Sequence, residues 1–126
     1  MNKLIYDIRK NKHLQNIIDG REPYFSKPFY VVDYGRYGTD KWWDNIEKAG
    51  LINVLHGIIT KVIPSDKGSI PQIEVKAEEE LLVFNAEGDD GIYPVGGVVK
   101  LYFVKNNDVF VEKVGGNSII RAEILE

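Results

Sequence analysis

From Leu51 onward the apolar residues recur at every second position, the spacing of extended strands with one face turned to a core. Ile52, Val54, Ile58, Thr60 and Val62 alternate with Asn53, Leu55, Ile59 and Lys61. Both faces of that segment are therefore partly apolar, which predicts a strand central in its sheet. Pro64 to Ser69 is a turn, after which Ile73, Val75 and Ala77 alternate with Glu74, Lys76 and Glu78, the pattern of a strand with one wet face. Leu81 to Phe84 continues that ribbon. Glu87 to Gly91 is a loop, and Gly96-Gly97 a bend before a strand over Val98 to Lys105. Asn106-Asn107 predicts a hairpin turn into Val109-Phe110-Val111, and Gly115-Gly116-Asn117 a turn into a last strand over Ser118 to Leu125. Successive strands joined by short turns imply an antiparallel meander. The expected core is Ile46, Val54, Ile58, Val75, Val99, Leu101, Val111 and Ile120.

The first half reads differently. Leu4, Ile8, Leu14 and Ile18 share one helical face at roughly 100° per residue, so an amphipathic helix is predicted over residues 2–19 with Gly20 closing it. Phe29 to Tyr34, between Pro28 and Gly35, predicts a short strand. After the turn Gly35 to Gly38, Thr39 or Asp40 caps a second helix with Trp42, Trp43, Ile46 and Ala49 at helical spacing and Gly50 at its exit. The expected fold is a single α+β domain over residues 1–126. Two N-terminal helices pack on one face of a mainly antiparallel sheet of about five to six strands. The order of elements resembles the cone-shaped α+β folds of the NTF2-like and cystatin-like groups.

Composition narrows the chemistry. A chain of 126 residues without cysteine has no disulfide, no thiolate metal site and no Cys nucleophile. The net charge of −3 argues against coating nucleic acid through phosphate contacts. The amino-terminal apolar residues are broken by Asp7 and Arg9, so no signal peptide is read. No apolar run approaches the roughly 20 residues that span a bilayer. The expectation is a cytoplasmic protein that meets neither membrane nor nucleic acid.

Two features stand out from that background. Eight aromatic residues (Tyr24, Phe25, Phe29, Tyr30, Tyr34, Tyr37, Trp42 and Trp43) fall between positions 24 and 43, interleaved with charged residues such as Arg36. Some plug the gap between helix and sheet; Tyr34, Arg36, Tyr37 and Trp43 are read as surface contacts, because Tyr, Trp and Arg anchor protein interfaces. Charge is also uneven. Residues 1–63 hold ten basic and seven acidic groups, whereas residues 64–126 hold six and twelve, a balance of +3 against −6. Glu78, Glu79, Glu80, Asp89 and Asp90 are candidates to meet a basic partner, against the plainer reading of a solvated acidic face.

The catalytic inventory is thin. Gly35 to Thr39 falls short of any phosphate-loop fingerprint, and Glu87 to Asp90 does not fit the EF-hand spacing. His13 and His56 have no second ligand at metal-binding spacing, and no serine sits in a Gly-x-Ser-x-Gly elbow. No cofactor and no metal are expected. The favoured function is therefore a small non-enzymatic binding protein, an inhibitor or immunity-type protein that neutralises a basic protein partner such as a bacterial toxin. The alternative is a small-molecule-binding or acid/base protein with a pocket around His56, assisted by Asp33 and Tyr30. A phage or assembly component is a third possibility.

Overall fold

The computed structural model describes residues 2–16, 34, 37–64, 71–86, 90–109 and 116–125. Six strands carry the fold: β1 (Asn2–Asp7), β2 (Asn53–Ile63), β3 (Gln72–Ala77), β4 (Glu80–Asn85), β5 (Val98–Lys105) and β6 (Asn117–Leu125). β2 pairs antiparallel with both β3 and β5, β3 with β4, and β5 with β6. β4 then meets β6 in parallel where Asn85 lies opposite Ser118. That contact closes five strands into a barrel, and β1 adds to β6 outside the ring. With the barrel strands numbered in chain order the ring runs 1-2-3-5-4.

This overturns the expected α+β meander with two N-terminal helices on a sheet. Three of the ring's five pairings join consecutive strands, as short turns predict. The other two, β2 with β5 and β4 with β6, join strands distant in sequence and leave no local signal. Closure reduces the exposed edges that an open meander would present, with β1 left as an edge outside the ring.

The predicted helix over residues 2–19 is corrected most sharply. Residues 2–7 form β1, a 3₁₀ turn follows at Ile8–Lys10, and only Lys12–Asn16 (α1) is helical, with residues 17–19 outside the described set. Tyr6, Asp7 and Ile8 are buried in succession, which a one-sided helix does not allow. Pairing with β6 decides the conformation: Asn2 lies opposite Leu125 and Asp7 opposite Arg121, with a slip in register between Leu4 and Tyr6. Of the predicted strand over residues 29–34 only Tyr34 is described, and it sits in a turn. The likeness to the cone-shaped folds, drawn from that element order, goes with it.

The second helix forms as read. In α2 (Asp40–Lys48) the Thr39 hydroxyl accepts from the Trp42 N–H at 3.2 Å, Asp40 occupies the positive first turn and Lys48 the negative last one. Gly50, at φ +72, ends it in the left-handed region. Trp42, Trp43 and Ile46 face inward.

Ile46, Val75, Val99, Leu101 and Ile120 are buried, as expected of the core. Val54 and Ile58 are not: they are 50% and 46% exposed on the outer wall of β2. The strand turns Leu55, Gly57 and Ile59 inward instead. Gly57 marks that face, because a Cβ there would stand 2.5 Å from Val75 Cγ1 and 2.7 Å from the Lys76 carbonyl oxygen. Asn106-Asn107 is not a hairpin turn but opens a single helical turn, α3 (Asn106–Val109), which buries Val109. Val111 and the rest of its predicted strand beyond Val109 lie outside the described residues.

Candidate functional site at the acidic end of the barrel

The hairpin of β3 and β4 turns through only two residues, Glu78 and Glu79, since Ala77 pairs with Glu80. Glu78 takes φ +57, a left-handed conformation that costs a residue with a Cβ about 1–2 kcal/mol. Three consecutive carboxylates thus stand at one end of the barrel, all exposed.

β2 pairs with β3 from Ile58 onward, whereas Asn53 to Gly57 pair with β5 alone. The two strands part at the acidic tip and leave an open cleft of about 380 Å³. Val54, Leu55 and His56 form one wall; Ala77, Glu78, Glu80 and Leu82 form the other. Leu55 and Leu82 are half-buried at its floor, and His56, Glu78 and Glu80 are exposed at its rim. Two carboxylates over an aliphatic floor suit a cation carried on an apolar stem, as in a lysine or arginine side chain. The acidic run and His56, far apart in the sequence, line the same cleft.

The predicted aromatic anchors lie elsewhere. Tyr37 is fully buried, with its ring edge-on to Trp42 at 4.8 Å, and Trp43 is 7% exposed beneath the Arg9 guanidinium, 4.0 Å from the ring centre. Neither offers a surface to a partner; both rings fill space between α2 and the barrel. Tyr34 is half-buried and its carbonyl accepts from Asn45 Nδ2 at 2.8 Å. Arg36, Asp89, Asp33 and Tyr30 fall outside the described residues, and Asp90 opens a 3₁₀ turn, Asp90–Ile92, with its side chain outside the description. Among the described residues no group of three His, Asp or Glu side chains is placed to hold a metal ion. Nor is any described helix long and apolar enough to cross a membrane.

A polar network that sequence reading missed ties β1 to β6. Asp7, nearly buried, accepts from Arg9 Nε and a terminal Arg9 nitrogen at 3.0 and 2.8 Å, and from Arg121 at 3.0 Å. Arg121 also donates to Glu123 at 3.0 Å, and Asn2 to the same carboxylate at 3.1 Å. Burial pushes the Asp7 carboxyl up, but the Arg9 side chain and backbone N–H, with the charges of Arg9 and Arg121, outweigh it and hold the group below its ordinary value. The hydrogen bond from Arg121, then that from Asn2, likewise lowers Glu123. Asp7 and Arg121 stand 114 positions apart, so no local pattern announces the pair. This cluster is internally satisfied and structural. No protein-family model matches the chain and no curated protein matches it, so the cleft and the wall beside it carry the functional argument.

Proposed function

We propose that the chain is a small protein-binding module that engages a basic protein partner through the acidic end of its barrel, in the manner of an inhibitor or immunity-type protein acting in the cytoplasm. One observation carries the reading: the cleft sets Glu78 and Glu80 above an aliphatic floor, so a partner's lysine or arginine finds charge for its head and apolar surface for its stem. The outer wall beside it favours protein over nucleic acid. In five-stranded Greek-key barrels of the OB type, which this ring resembles in architecture, such a wall holds oligonucleotides and oligosaccharides. Here its described outward residues on β2, β3 and β4 include Val54, His56, Ile58, Lys76, Leu81 and Val83 and no Phe, Tyr or Trp, so bases find a single imidazole rather than a stacking platform. Fold analogy alone does not decide between them; the side chains support a protein partner.

Affinity capture followed by reconstitution with the purified partner tests the proposal. The variant Glu78→Gln/Glu79→Gln/Glu80→Gln should associate about tenfold more slowly at low salt, with the gap closing at high salt, because long-range attraction acts before contact and is screened over about 8 Å at physiological ionic strength. A folded variant with unchanged association at both salt concentrations overturns the reading. A second reading, a small cationic ligand or acid/base chemistry at the same cleft, is favoured by the cleft reaching His56. It requires His56→Gln to abolish ligand binding or turnover while leaving partner capture intact.

A further inference from the structure

We propose that the outer wall of β2, β3 and β4 is a self-association face on which a second copy of the chain docks about a two-fold axis crossing β3 at Val75. Leu81 and Val83 are 59% and 42% exposed, and Ile58 stands out beside them, whereas side chains of this kind seldom gather on a surface with nothing to cover them. Register places them in two rows: Ile58, Lys76 and Leu81 lie side by side, and Glu74 and Val83 lie side by side one step along. Lys61 lies opposite Glu74 in that second row, and the Thr60 hydroxyl beside it, at the slip in register, donates to the Glu74 carboxylate at 3.0 Å.

The wall is complementary to itself in one orientation only. A two-fold axis along the strands would set Glu74 on its own copy, Lys76 on its own copy, and the acidic tips side by side. An axis across the strands exchanges the rows. Lys76 then faces Glu74 of the other copy twice over, Leu81 faces Val83, and Ile58 faces Thr60 and the stem of Lys61, while the tips point to opposite ends of the pair. Isologous interfaces need this reciprocity. The bond from Thr60 holds the Glu74 carboxylate in place before docking, and Lys76 has no ion pair among the described residues. The Glu78 and Glu80 cleft lies outside this face, so although the proposed function also draws on this wall, different variants test the two.

Sedimentation equilibrium up to about 500 µM, with circular dichroism as the control for folding, tests it. A face with so few side chains sits at the small end of specific interfaces, so the wild-type chain should dimerise with a Kd on the order of 10–100 µM. Glu74→Lys alone and Lys76→Glu alone should each weaken the dimer at least about tenfold, and the double exchange should restore it to within about threefold of wild type, because only pairing between copies is mended by exchanging both charges. Leu81→Glu should give a folded monomer. The Glu78/Glu79/Glu80→Gln variant should dimerise as wild type does, which separates failure here from failure of the cleft. A wild-type chain that stays monomeric at the highest concentration, single exchanges that dimerise normally, or a double exchange that stays monomeric each overturn the proposal.

Discussion

Ile59 lies opposite Val75 with no exposed surface, while its neighbour Ile58 points outward beside Lys76 and Val98. The same substitution at the two positions therefore measures burial with the chemistry held constant. Ile59→Ala should cost about 3 kcal/mol through lost transfer energy and the cavity left behind, and Ile58→Ala less than about 1 kcal/mol, in urea melts of the dilute protein. Equal losses would mean that the faces of β2 are reversed. Asp7 is the one buried charged side chain among the described residues. Its carboxyl is held below the ordinary value, so its contribution is complete above the unfolded-state pKa of about 3.9 and fades as pH falls through the lower folded value. Asp7→Asn should cost about 2 kcal/mol at neutral pH, with the gap to wild type narrowing in acid below about pH 4. A gap that stays constant from pH 7 to pH 2 would sink the account of Asp7 as a charged tie between Arg9 and Arg121.

Within single elements, β2 and the hairpin tip carry the strain. Gly57→Ala should destabilise by about 2 kcal/mol, because the new methyl meets Val75 and the Lys76 carbonyl, a backbone atom that cannot step aside cheaply. At the tip, Glu78→Gly relieves the left-handed cost of about 1–2 kcal/mol and gives back part of it as unfolded-chain freedom, for a net gain of about 0.5 kcal/mol. The same change removes a carboxylate from the cleft. Stability that rises while association with a basic partner slows, read by denaturant midpoints and binding kinetics, is the expected signature of strain kept for function. These elements also mark where sequence reading stopped. β3, β5 and β6 announce themselves by alternation and α2 by its caps. The inward face of β2 does not, since Val54 and Ile58 are as apolar as Leu55 and Ile59, and only the close approach at Gly57 decides between them. The residues of β1 read as a helix in the sequence because the strand's partner lies at the far end of the chain. The acidic tip and His56 were both visible as residues, but their meeting depends on β2 leaving β3 at Gly57, and counting rings could not tell that Tyr37 and Trp43 fill space.

The molecule as a whole closes through its shortest pairing. β4 and β6 share one bridge, Asn85 with Ser118, against six paired positions between β3 and β4. Side chains reinforce that seam: the Ser118 hydroxyl donates to Asn106 Oδ1 at 2.7 Å with both residues buried, and Gln72 Nε2 donates to Asn85 Oδ1 at 3.1 Å. Phe84 of β4 meets Phe103 of β5 edge-on at 4.9 Å, so rings hold where the ladder is short. Opening the seam exposes fewer backbone bonds than opening any other strand pair of the ring, which makes it the route of lowest free energy for partial unfolding. Ser118→Ala removes the hydroxyl donor from Asn106 Oδ1 in a buried setting and should cost about 1–2 kcal/mol. The loss should not be spread evenly. Native-state hydrogen exchange should quicken first in β4 and the start of β6, while β2 paired with β5 keeps its protection. Exchange that quickens equally in every strand would show that the barrel opens only as one unit and that its single parallel bridge is no weaker than its antiparallel ladders.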